Sequence, residues 1–150
     1  MSLENDIQQT KFRNEYQKAV INLIYTFNWL TEKNKQFFEK ADITSQQFNI
    51  LRILRGAGVP LSTLQIRQRM LDKMSDTSRI VDRLVKKDLV KKVICKTDRR
   101  LVDVTISEKG LSLLKELDGY NDELDSIVGN ISEEEAKTLN ELLDKMRNSA

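Results

Sequence analysis

The sequence predicts a mainly α chain (α+β by strict count). At its centre lie a short helix, a turn, a second helix and a two-stranded hairpin, with long helices on both sides. Three observations carry this. The 150 residues include a single proline, Pro60, and 5 glycines, so helices meet few breaks. Ser62 with Gln65 forms a capping box, and Thr77, Ile80, Val81 and Leu84 recur at i, i+3, i+4 and i+7, the spacing of one buried helix face. Leu89 to Cys95 and Leu101 to Ile106 are rich in Val and Ile and flank the charged loop Lys96-Thr97-Asp98-Arg99-Arg100, which reads as a hairpin.

Taken in order, Leu3 to about Lys40 reads as one long helix. Tyr16, Val20, Leu23, Phe27 and Leu30 recur at steps of four and three, a face that seeks either the core or another subunit. Thr44 opens the next helix, with Gln47 as box partner and Ile43 and Phe48 as hydrophobic staple. Phe48, Leu51 and Leu54 give that helix a buried face; Gly56 and Gly58 end it, and Pro60 leads into the central pair. The first helix of the pair starts at Ser62, stapled by Leu61 and Ile66, and the second runs from about Ser75 to Lys87. After the hairpin, Ser107 caps a helix reaching about Asn130, lined by Leu111, Leu114, Leu117, Leu124, Ile127 and Val128, with Gly119 as a bend. Ser132 and Glu135 open the last helix, whose apolar side is Ala136, Leu139, Leu142, Leu143 and Met146.

Charge divides the chain more sharply than composition does. Residues 1–43 carry 6 basic and 6 acidic side chains, residues 44–107 carry 14 and 6, and residues 108–150 carry 5 and 11. A middle segment this basic, in a chain of net charge +2, points to a polyanion partner for that segment; plain solvation of a surface is the alternative. There are no histidines, which excludes histidine triads and histidine zinc sites, and no phosphate-binding glycine loop is present. No enzyme signature, cofactor motif or metal site is read. One cysteine, Cys95, permits no internal disulfide and suits a reducing cytoplasm, where the chain is expected. No run approaches a membrane span, and no signal peptide is visible at Met1 to Ile7.

The second central helix turns Ser75, Arg79, Arg83 and Lys86 away from its apolar face. A short cationic helix beside a cationic hairpin suits double-stranded DNA, the helix in the major groove and the hairpin loop in the flanking minor groove. This is a winged helix-turn-helix pattern. From Ile43 to Gly110 the chain resembles the MarR (multiple antibiotic resistance regulator) family of bacterial transcription factors. The resemblance rests on Asp98-Arg99-Arg100, on Val104-Thr105-Ile106-Ser107 with Gly110, and on Ser78 to Lys87 as a recognition helix. One departure stands out: Asp88 occupies the place after the recognition helix where the family has Gly, a residue that reaches positive φ without strain.

The residue assignments follow. Ser75 and Ser78, at the start of the recognition helix, suit phosphate anchoring, with capping as the alternative for Ser75. Thr77 faces the core. Arg79 and Arg83 suit bidentate pairing with guanine, against an ion pair with Asp76 or Asp82. Lys86 is a phosphate neighbour or a solubilising charge. Arg99 and Arg100 stand at the wing tip, and the resemblance implies that Asp98 holds Arg100, which enters the minor groove. Cys95 is read as a small apolar strand residue.

The resemblance further implies one MarR-like domain over residues 1–150. Residues 43–107 would form its DNA-binding lobe, and residues 1–42 and 108–150 a helical region that pairs two copies. Two recognition helices then face successive major grooves about 34 Å apart on a pseudo-palindromic operator. The function expected is a homodimeric regulator, a repressor, released from DNA by a small-molecule effector of unknown identity. Phe12, Tyr16, Tyr25, Phe27 and Trp29 supply aromatic surface for such a ligand or for core and dimer contacts. The alternative is a winged-helix module that binds protein partners and no operator; steep salt dependence of DNA binding separates the two.

Overall fold

A computed structural model describes residues 1–94, 98 and 102–148, in two compact units, residues 1–45 and 46–150. The first unit holds α1 (Leu3–Asp6) and α2 (Glu15–Glu39). The expected single helix is therefore broken between Ile7 and Asn14. The physical reason is a strong cap at the second start: Asn14 is extended and its side chain accepts from the Gln17 N–H at 2.8 Å, while the Gln17 side chain accepts from the Arg13 N–H at 2.6 Å. Gln8 adds a positive φ of 53° inside the break. Leu3 is buried and the Lys18 ammonium donates to the Glu4 carboxylate, so α1 folds back onto α2.

That ion pair sets a pH limit. The Lys18 hydrogen bond holds the Glu4 carboxyl below its ordinary value of 4.5. A carboxylate with a lowered folded pKa contributes stability above its unfolded value and loses it as pH falls through the folded one. Amides of Asn5 to Ile7 are expected to lose hydrogen-exchange protection as pH drops below 4.5, and to lose it already at neutral pH in Glu4→Gln. Protection unchanged in that variant would mean that Leu3 alone holds α1.

The second unit begins within α3 (Ser45–Ala57) and continues through β1 (Leu61–Ser62), α4 (Thr63–Arg69), α5 (Thr77–Lys86), β2 (Val90–Ile94), β3 (Val102–Ile106), α6 (Glu108–Asp118), α7 (Asn121–Ser126) and α8 (Glu133–Arg147). Gly58, at φ 66°, ends α3 as expected, its N–H reaching the Leu54 carbonyl at 3.2 Å. The boxes at Ser62 and Ser132 both form, with each Ser accepting from the residue three on at 3.1 Å. At the second box the backbone N–H of Ser132 holds the Glu135 carboxyl below its ordinary value. The core is aliphatic: Ile50, Leu51, Ile66, Val81, Leu84, Val90, Val104 and Leu114 are fully enclosed.

Three expectations of this unit need correction. The hairpin is part of a three-stranded antiparallel sheet in the order β1-β3-β2, since Leu61 and Ser62 pair with Val104 and Asp103. Two residues carry no periodicity, so β1 shows only when β3 lies beside it. The helix after Ser107 does not reach Asn130. It stops at Asp118, Gly119 closes it, and α7 is a separate short helix followed by turns. Leu114 and Leu117 are buried, while Leu111 and Val128 of the expected apolar face are exposed. The second central helix begins at Thr77, two residues late, because Asp76 caps it by accepting from the Arg79 N–H at 3.2 Å.

The end of α5 is a Schellman turn. The Asp88 N–H reaches the Val85 carbonyl and the Leu89 N–H the Leu84 carbonyl, both at 3.0 Å. Asp88 adopts φ 61°, the left-handed conformation that glycine takes without strain. Asp88→Gly is therefore expected to stabilise the chain by about 0.5–1 kcal/mol, raising the urea midpoint at unchanged slope. A lower midpoint would show that the carboxylate stabilises the turn by more than the backbone strain costs.

Candidate nucleic-acid interface

The recognition helix α5 is sorted cleanly by burial. Thr77, Ile80, Val81 and Leu84 are buried; Ser78, Arg79, Asp82, Arg83 and Lys86 are exposed. Arg79 and Arg83, one turn apart, project from the same side of the helix. The Arg79 Nε lies 3.7 Å from the Asp76 carboxylate, with both side chains more than 60% exposed. A pair that open contributes at most about 1 kcal/mol and leaves the guanidinium available to a stronger partner. The expected alternative partner Asp82 is engaged elsewhere: it accepts from Lys92 on β2. That bond ties the middle of α5 to the first wing strand.

Ser75 is placed differently from the sequence expectation. It lies before the helix, in a turn organised by Asp72, and its hydroxyl donates to the Asp72 carbonyl at 2.8 Å. The hydroxyl's single proton is committed to that bond, and a phosphodiester has no proton to offer the oxygen's lone pairs, so Ser75 can contact phosphate only by giving up Asp72. Ser78, in the first turn of α5 and exposed, has a backbone N–H with no intrahelical acceptor and is the better placed of the two serines.

Other cations are committed to the fold. Lys87 donates to the buried Gln47 side chain at 3.3 Å, and its own carbonyl accepts from Lys109 at 3.1 Å. Arg55, counted at sequence level in the positive middle, pairs with Asp118 through two contacts of 2.8 and 3.2 Å. Lys91 on β2, and Arg67 and Arg69 on α4, are exposed and extend the positive surface; the sequence reading did not single them out. Their signal was available, as basic residues on solvent-facing positions of elements already drawn. Asp98 is half-buried; Arg99, Arg100 and Cys95 lie outside the described residues, so the expected wing-tip contact rests on the sequence alone. No group of His, Cys, Asp or Glu able to hold a metal ion occurs among the described residues. No helix among them is long and apolar enough to cross a membrane.

Residues 43–102, covering the helix-turn-helix and most of the wing, match the model of the MarR family. Over those residues the chain is similar to the MarR family. The MarR-like course extends beyond the matched segment. The transcriptional regulator MhqR of Bacillus subtilis is 28% identical over 86% of this chain and 89% of its own length. The organohalide-sensing RdhR transcriptional regulator, solved with 2,4-dichlorophenol, superposes with a TM-score of 0.82 at 19% identity, over 93% of this chain and 86% of that one. The Staphylococcus aureus MepR–DNA complex superposes with a TM-score of 0.72 at 24% identity, over 93% of this chain and all of that one. The two superpositions show the same winged-helix fold over most of the chain.

Proposed function

We propose that this chain is a sequence-specific, double-stranded DNA-binding transcriptional regulator. It acts as a homodimeric repressor in the cytoplasm, has no catalytic role and is released from its operator by a small molecule. The observation that carries the reading is the two-sided recognition helix: α5 packs four residues into the core and offers Ser78, Arg79, Arg83 and Lys86 to solvent beside the exposed Lys91 of β2. A polyanion with a groove as wide as a helix makes use of all of them. The MepR complex, a MarR-like fold seated on DNA, supports the same partner here, and the dichlorophenol-bound regulator supports an aromatic effector.

Pairing of two copies is supported by apolar surface that each unit leaves in water. Tyr16, Val20, Leu23, Ile24 and Phe27 on α2, and Leu139, Leu142 and Met146 on α8, are all at least 40% exposed. We assign residues 1–42 and 108–150 to that pairing, and residues 43–107 to DNA, with Ser78, Arg79, Arg83, Lys86, Arg99 and Arg100 as its contacts and Asp98 as the group that orients Arg100.

Salt dependence of binding to duplex DNA tests the reading. A dimer that neutralises six to ten phosphates loses affinity with a slope of roughly −5 to −9 in log K against log salt. A flat dependence would favour a module that binds protein instead.

A further inference from the structure

Beside the exposed face of α5 lies a groove of about 460 Å³ between α4 and the turn that precedes α5. Leu64 and Met74 form apolar parts of its lining, 64% and 90% exposed; Arg67, Asp76, Ser75 and Ser78 supply polar ones. Met74 is not on a slack loop. The Asp72 side chain accepts from the Met74 N–H at 2.9 Å, and the Asp72 carbonyl accepts both the N–H and the hydroxyl of Ser75. Asn49 of α3 accepts from the Leu71 N–H at 3.0 Å. The turn is thus pinned from both sides, and it presents an unbranched apolar side chain to solvent. Residues 63–94 around it carry 9 basic and 4 acidic side chains. Arg67 in the lining and the exposed Arg79, Arg83 and Lys86 of the adjoining helix outnumber the one lining carboxylate, Asp76, so this apolar groove is a poor match for a second copy of the same surface and a good match for DNA. The one apolar group in the major groove is the C5-methyl of thymine.

We infer that Met74 and Leu64 read a thymine methyl at the edge of each half-site, while Arg79 and Arg83 read bases further along the groove. The inference rests on the DNA-binding reading above and adds a specificity position outside the recognition helix. Apolar burial of one methyl group corresponds to about fourfold in affinity.

The test uses the purified full chain and a duplex selected by it from a random pool. Each thymine is replaced singly by deoxyuridine, which removes the methyl and leaves every hydrogen-bonding group in place. One position per half-site is expected to lose about fourfold, and that loss is expected to vanish in Met74→Ala and to shrink in Leu64→Ala. Both side chains are exposed, so both variants keep the fold; circular dichroism checks this. Sequence-specific binding with no sensitive thymine, or equal sensitivity in wild type and Met74→Ala, overturns the inference and leaves the DNA-binding reading standing. Absence of any preferred duplex overturns both.

Discussion

Gly110→Ala is expected to destabilise the winged unit by about 3 kcal/mol, lowering its melting temperature by on the order of 10 °C. A Cβ on Gly110 would stand 2.4 Å from the Leu89 carbonyl oxygen and 2.7 Å from the Ile106 side chain. The first contact is with backbone, which cannot rotate aside. The Leu89 oxygen is also the acceptor for the Ser107 N–H at 3.0 Å, and the Ser107 hydroxyl both donates to the Asp88 carbonyl at 2.7 Å and caps α6 through the Gly110 N–H. The end of the recognition helix, the end of the wing and the start of α6 therefore meet at one point, closed by the absence of a side chain. Urea unfolding followed by circular dichroism measures the loss. A variant within 0.5 kcal/mol of wild type, a small change by any standard for a core position, would show that α6 shifts freely against the α5–β2 junction.

Arg79→Ala is expected to weaken binding to the preferred duplex by about 10- to 100-fold per half-site, the range for loss of one good bidentate base contact. Its effect on random duplex should be several-fold smaller, because a base contact carries sequence information and a phosphate contact does not. Lys86→Ala should show the opposite pattern, a modest and uniform loss with the salt slope reduced by about two, one phosphate contact per half-site of the dimer. Competition binding with preferred and scrambled duplexes reads both. Equal losses on the two DNAs for Arg79→Ala would return that residue to a phosphate or ion-pair role with Asp76, its 3.7 Å neighbour.

Local signals were the legible ones. The boxes at Ser62 and Ser132, the Ser107 cap and the Gly58 stop each lie within four residues, and all formed where the spacing placed them. The apolar stripe from Thr77 to Leu84 likewise separated core from surface, and with it the exposed Arg79, Arg83 and Lys86. What escaped was pairing across distance. β1 exists only against β3, where the partner of Leu61 is Val104, 43 residues on. Arg55 gives up its charge to Asp118, 63 residues on. Asp82 turns to Lys92 on another element, against a sequence reading that had set it within reach of its own helical neighbours. The break before Asn14 was hidden for a different reason, and Gly119, read as a bend, is a full stop. The stripe on α2 begins only at Tyr16, and the Asn14 cap gave the backbone before it a better local alternative than helix; after Gly119 a stripe could be drawn straight on to Val128. Asp72 belongs with these: its turn holds Ser75 outside α5, although Ser75 fits the helical face by spacing.

Selection of random duplex DNA by the purified chain, followed by sequencing of what is retained, tests the central claim most directly. The account predicts enrichment of an inverted repeat whose half-site centres lie about 10 base pairs apart, one helical turn for two recognition helices. Retained DNA with no common sequence, or a single unrepeated site, would contradict it.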